Sequence, residues 1–109
     1  MTEPVKLLLI FVNESDRWNN THLYTAIVDL LRQRHLAGAT AQAGLLGFGH
    51  HSRVHHKGLF GIADDRPITI TAVDDEAKIR AVLPELRALV REGLILLLDG
   101  ELVADQSAT

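Results

Sequence analysis

Residues Val5-Lys6-Leu7-Leu8-Leu9-Ile10-Phe11-Val12 form an almost unbroken apolar run of eight. A strand sends successive side chains to opposite sides, so the run divides into Leu7, Leu9 and Phe11 on one face and Leu8, Ile10 and Val12 on the other. It is too short for a typical helix, and apolar residues on both faces predict a central strand covered from two sides. Glu3 precedes it in place of a basic segment, so it lacks the form of a signal peptide, and it is too short to cross a bilayer. The chain is therefore expected to be cytoplasmic, without direct membrane insertion. Two N-x-S/T triplets, at Asn13 and Asn19, then have no glycosylation machinery to meet.

Everything downstream has to supply the covers. After a polar connection over 13–20, Leu23, Ile27, Leu30, Leu31 and Arg34 recur at helical spacing, with Asn20 or Thr21 as the expected cap and Gly38 as the left-handed stop. A second strand is expected over Ala39 to Leu46, and Gly47-Phe48-Gly49 opens a long connection containing four of the six His. Ile68 to Val73 alternates and is β-branched, the mark of a strand. Asp74, Asp75 and Glu76 place negative charge where the next helix begins. That helix carries Ile79, Val82, Leu83, Leu86, Leu89 and Val90 as its apolar stripe, with a kink expected at Pro84 and an end at Gly93. Leu94 to Leu98 is a fourth strand. Asp99-Gly100 predicts a turn into a short fifth piece, Glu101 to Ala104, followed by a frayed 105–109 tail.

The order βαββαβ predicts one α+β domain over residues 1–109, a ferredoxin-like sandwich with its core over about 5–104. Its antiparallel four-stranded sheet has the order 4-1-3-2, and right-handed crossovers place both helices on one face. The first strand is central in that order, yet the helices reach only one of its two apolar faces. A contiguous apolar surface of that kind exceeds what monomers leave in water, which predicts association with further copies.

Composition removes several functions. With no Cys there are no disulfides, thiolate metal sites or thiol nucleophiles. A net charge of −3 gives no general attraction for nucleic acid, so no nucleic-acid partner is expected.

Several phrases in sequence order carry a family resemblance: Asn13-Glu14-Ser15-Asp16, Leu23-Tyr24-Thr25-Ala26-Ile27, Ala37-Gly38-Ala39-Thr40, Gly44 to Gly49, Asp65-Arg66-Pro67-Ile68 and Arg91-Glu92-Gly93-Leu94. From about residue 5 to residue 104 the chain resembles the bacterial and archaeal PII-like family known as domain of unknown function 190 (UPF0166), within the nitrogen-regulatory PII superfamily. The resemblance implies a homotrimer whose sheets face one another and an adenine nucleotide bound in clefts between subunits, with no cofactor required. It also implies a mobile T-loop, here 48–62, that docks onto a membrane transporter or channel or a cytosolic enzyme. Thr40 and Gly47, Phe48 and Gly49 match the family positions at the base of the cleft, and Arg91 and Gly93 lie in the connection that faces it. Glycine there lets backbone amides approach a ligand without a Cβ in the way. PII proteins carry a glycine-rich, lysine-ending phosphate loop where this chain has only Arg91-Glu92-Gly93. Phosphate contacts would then fall to Arg91, Lys57, Arg53 or the His-rich loop.

Two further expectations concern placement and chemistry. The end of the second strand, the start of the first and the connection after the second helix are expected at one edge of the sheet, with Glu14 and Asp16 at the opposite edge serving the start of the first helix. Within the loop, His50, His51, His55 and His56 surround Ser52-Arg53-Val54, and His51 and His55 have the four-residue spacing that aligns two imidazoles on a helical turn. A partner-contacting loop of His50, His51, Arg53, His55, His56 and Lys57 is one reading of this segment; a metal-sensing or metal-binding set of the four His is the alternative. Asp64 and Asp65 are expected to shape the turn before Pro67, and Trp18 and Tyr24 to anchor their loop by burial. No nucleophile is paired with a base, so the chain is not expected to be an enzyme.

Overall fold

A computed structural model describes residues 2–47 and 65–104. The elements are β1 (Glu3–Asn13), β2 (Arg17–Trp18), β3 (Thr21–His22), α1 (Leu23–Gln33), β4 (Ala39–Ala43), β5 (Pro67–Asp74), α2 (Glu76–Leu89) and β6 (Leu94–Leu102). The four long strands form one sheet in the order β4-β5-β1-β6, antiparallel at every pairing, which is the expected 4-1-3-2 arrangement.

Register sorts the side chains of β1 as its composition predicts. Leu8, Ile10 and Val12 stand opposite Ala72, Ile70 and Ile68 of β5, and all six are buried beneath the helices. Leu23, Ile27, Leu30 and Leu31 of α1 and Ile79, Val82 and Leu86 of α2 complete that core. On the other face, Leu7, Leu9 and Phe11 stand opposite Leu98, Leu96 and Leu94 of β6, and these three leucines are 43%, 40% and 55% exposed. Toward β4 the same face turns polar, with Thr69 and Thr71 of β5 opposite Gln42 and Thr40. The uncovered surface is thus greasy across β1 and β6 and hydroxyl-rich across β5 and β4.

Several local expectations are corrected. The Asp99-Gly100 turn and the separate fifth strand over Glu101 to Ala104 do not form. β6 instead runs straight to Leu102, because β1 begins at Glu3 and offers Lys6, Val5, Pro4 and Glu3 as partners to Asp99, Gly100, Glu101 and Leu102. Lys6 also forms an ion pair with Asp99. A turn signal of two residues yields here to a ladder already waiting.

The second strand stops at Ala43 rather than Leu46. Gly44 donates its N–H to the carbonyl of Pro67 at 2.7 Å, and Pro67 has no N–H to return, so pairing ends and Leu45 and Leu46 stand exposed.

Helix α1 starts at His22 with no side-chain cap, so neither Asn20 nor Thr21 acts as one. The residues ahead of it form the two-residue hairpin β2–β3, with Asn19 in the left-handed region, and the Leu23 N–H donates to the Asp16 carbonyl at 2.8 Å. At the far end His35, not Gly38, takes the left-handed conformation, at φ 63°. His35 N–H bonds to Arg32 O and Leu36 N–H to Leu31 O, the paired pattern of a Schellman closure. Ties to α2 hold this non-glycine residue in place: Lys78 Nζ donates to the His35 carbonyl at 3.0 Å, and Arg34 grips Glu85 with two bonds.

Helix α2 begins as its acidic start predicts, with the Asp75 side chain accepting from Lys78 N–H at 2.8 Å. It continues through Pro84 as a single element, with the proline on the exposed side, where water can satisfy the freed carbonyl.

Candidate functional site

The direction of β1 decides which loops meet. Asn13 at its end pairs with Pro67 at the start of β5, Ile68 pairs with Ala43 at the end of β4, and Phe11 pairs with Leu94 at the start of β6. The end of β1, not its start, therefore joins the end of β4 and the connection after α2. Glu14 and Asp16 lie at this same end of the sheet rather than opposite it, since the chain leaves β1 here. Both corrections follow from one strand polarity.

The residues just outside the sheet are tied together. Glu14 N–H donates to the Arg66 carbonyl at 2.8 Å, and the Arg66 guanidinium returns two bonds to the Glu14 carboxylate at 3.0 and 2.6 Å. Those guanidinium bonds hold the Glu14 carboxyl below its ordinary range and raise Arg66 in turn. Ser15 donates its N–H and its hydroxyl to the two oxygens of Asp65, at 2.8 and 2.6 Å. Asp65 thus ties the start of β5 to the loop that follows β1. The Asp16 carboxylate accepts the Asn13 N–H at 2.9 Å, and the first turn of α1 itself holds no acid. His22 contacts the Glu14 carbonyl through Nδ1 at 3.1 Å and stacks on Tyr24 with ring centres 4.9 Å apart. Trp18 and Tyr24 are half-buried against the core, which fits their expected anchoring role.

Two glycines at this end serve close packing. A Cβ on Gly93, at φ +148°, would lie 2.6 Å from the Phe11 carbonyl. The space a side chain would need at Gly93 is filled by the strand beside it. A Cβ on Gly44, which sequence reasoning passed over, would meet Pro67 Cγ at 2.8 Å. Gly47 is less constrained, with Pro67 Cγ at 3.4 Å from such an atom.

Of the anticipated ligand residues, Gly47, Arg91 and Gly93 come to this end of the sheet. Thr40 does not. It sits on the edge strand β4, exposed on the uncovered face opposite Thr71, with β5 between it and the apolar rows of β1 and β6. Phe48, Gly49, His50, His51, Arg53, His55, His56 and Lys57 lie outside the described residues, as does Asp64. Among the described residues no group of three or more His, Asp or Glu is placed to hold a metal ion. No helix among them is long and apolar enough to cross a membrane.

A cleft of about 470 Å³ opens at this end, between the β2–β3 hairpin and the end of α2. Asp16, Arg17, Trp18 and Asn19 form one wall, Leu89, Arg91 and Glu92 the other, and Leu23 contributes from the start of α1. Of this set, sequence reasoning named only Arg91 as a ligand residue, giving Asp16 to the start of the first helix and Trp18 to anchoring. The Asn19-Asn20 pair, a turn signal beside the single tryptophan, is the clue that marks the hairpin.

Comparison with known proteins extends these observations. The family model DUF190 (Uncharacterized ACR) matches residues 5–102. A UPF0166 protein of Aquifex aeolicus is 30% identical over 98 residues, covering 90% of this chain and 92% of its own. The UPF0166 protein of Methanocaldococcus jannaschii is 32% identical over 95 residues, covering 86% and 87%. Among solved structures, CPII of Thiomonas intermedia K12 superposes with a TM-score of 0.71 at 22% identity, covering 94% of this chain and 91% of its own. That protein is described as a nitrogen regulatory PII-like protein bound to ADP, AMP and bicarbonate. The fold is thus PII-like.

Proposed function

Since the chain belongs to the DUF190 (UPF0166) family and has a PII-like fold, we propose that it is a regulatory protein, not an enzyme, that binds an adenine nucleotide between copies of itself. Its copies associate as a homotrimer through the uncovered sheet faces. The 48–62 segment meets a protein partner, a membrane transporter or channel or a cytosolic enzyme, in the cytoplasm. Nucleotide contacts fall to Thr40, the Gly47-Phe48-Gly49 turn, Arg91 and the Gly93 backbone.

One observation carries the reading: the apolar rows Leu7, Leu9 and Phe11 and Leu94, Leu96 and Leu98 that the chain's own helices leave bare. Burying such rows contributes about 25 cal/mol per Å² of apolar area, enough over an ordinary interface to favour stable association. Nucleotide binding draws support from the ADP and AMP held by the similarly folded CPII.

A native mass spectrum of protein purified without denaturation tests both parts, since it reports subunit number and any retained nucleotide together. Added ADP is expected to raise the melting temperature by mass action. Gly47→Val, at a site where a Cβ meets only ordinary contact, is expected to remove that shift while the trimer persists. A lone protomer at micromolar concentration, or no shift with millimolar ADP, would overturn the corresponding half.

A further inference from the structure

The two edges of the sheet carry features that match each other and that the chain's own packing leaves unmatched. Just beyond β4, Leu45 and Leu46 are 90% and 66% exposed. At the other edge a groove of about 350 Å³ runs between α2 and β6. Ile95 and Leu97 form its floor on the helix side of the sheet, because they pair with buried Ile10 and Leu8. Leu83, Arg87 and Val90 form its wall. Helix α2 lies over β1 and β5, which leaves the helix side of β6 half open. The groove ends at Gly93 and so adjoins the connection assigned to the nucleotide. Apart from Arg87 its side chains are hydrocarbon, a lining suited to apolar side chains rather than to a charged ligand. Both features stand at the end of the sheet where β4 stops and β6 starts. Within one chain the two edge strands are three strand spacings apart, roughly 14 Å, so the leucines leave their own groove unfilled.

We propose that Leu45 and Leu46 of one copy seat in the groove between α2 and β6 of the next, locking the β4 edge of each protomer onto the β6 edge of its neighbour. This contact rests on the association of copies proposed above and specifies which edges meet. In a closed ring each contact joins two different surfaces, so a projection at one edge meets a recess at the other edge of the next copy. The groove is also continuous with the surface through which copies associate. Along β6, Leu94, Leu96 and Leu98 belong to the uncovered face, and Ile95 and Leu97, alternating with them, belong to the groove. A neighbour that covers the first set is thus already at the border of the second. Its arrival also shields the outer edge of β6, nine residues long, which would otherwise template pairing with another chain.

The chain has no Cys, so introduced thiols report single contacts. The full chain carrying L45C with I95C, or L46C with I95C, is oxidised and run on a non-reducing gel beside the single variants. A disulfide needs Cα atoms within about 7 Å, so a bond between the two edges joins different copies. At least one pair is expected to close into covalent rings with the subunit number that wild type shows by native mass spectrometry. Single variants, with one thiol each, can give nothing beyond a dimer. L45S/L46S is expected to weaken assembly by about tenfold or more in sedimentation, with the circular dichroism of the protomer unchanged, because both leucines are exposed in the protomer. The proposal is overturned if wild type assembles but neither pair cross-links, or if L45S/L46S assembles as tightly as wild type. Association through the sheet faces would survive either result. Efficient dimer formation by I95C alone would place two β6 edges together and likewise overturn it. A lone wild-type protomer would remove this contact and the proposed association together.

Discussion

The two faces of this sheet are built from the same strands and nearly the same residues, yet they stand in opposite conditions. Leu8 and Ile10 are fully buried beneath α1 and α2, while Leu96 and Leu98, displaced by one position in the alternation, remain open to water. The difference teaches that amphipathicity is not what this chain specifies. Its central strand is apolar on both sides, and its two helices can reach only one. Among the described residues no element covers the second face, and under the proposed reading further copies of the chain supply that cover.

That comparison can be broken first at the covered face. Ile10→Ala is expected to cost about 2–5 kcal/mol in chemical denaturation, independent of protein concentration, because it empties a packed site. Leu96→Glu tests the other face. It is expected to weaken self-association by at least about 2 kcal/mol per protomer, visible by sedimentation, while the secondary structure of the dissociated protomer is retained. A Leu96→Glu protein that assembles normally would show that the bare face is not the interface. Gly93→Ala probes the seam where β6 enters the sheet. Placing a Cβ against the Phe11 carbonyl in left-handed backbone is expected to cost about 1–3 kcal/mol, measured by thermal or urea unfolding.

A smaller effect comes from the sheet's end. The Glu14 carboxyl is held below its ordinary value of 4.5 by Arg66, so its pairing adds stability above that pH and loses it as pH falls through the lower folded-state value. Glu14→Gln is expected to destabilise by under about 1 kcal/mol at neutral pH, with the gap to wild type closing in more acidic solution. Smallest of all is Arg34→Gln. It opens a solvent-screened surface pair with Glu85 and is expected to leave the urea midpoint almost unchanged, with any difference vanishing at high salt.

Alternation from Ile68 to Val73 made β5 legible, and the short run from Val5 to Val12, apolar on both faces, made β1 legible as a central strand. The helix stripes were equally readable, from Leu23 to Leu31 and from Ile79 to Leu86. What escaped were outcomes of competition between distant segments. Asp99-Gly100 is a sound turn signal, defeated by four residues at the start of β1 that lie far away in sequence. Gly38 is a sound stop, pre-empted at His35 by groups on α2. The candidate site was less legible still, since its membership depends on which end of β1 the loops share. Misplacing that end separated Glu14 and Asp16 from Gly47 and hid the bracing of Arg66 by Glu14 and of Asp65 by Ser15.

The central position of β1 has a consequence during synthesis. Both of its hydrogen-bonding neighbours, β5 and β6, leave the ribosome only after more than half the chain has been made. Until then the greasiest segment of the protein travels without a ladder on either edge. Pairings so distant along the sequence close slowly. The nascent chain is for that interval a natural client for chaperones, and the need should be greatest when translation stalls before Pro67.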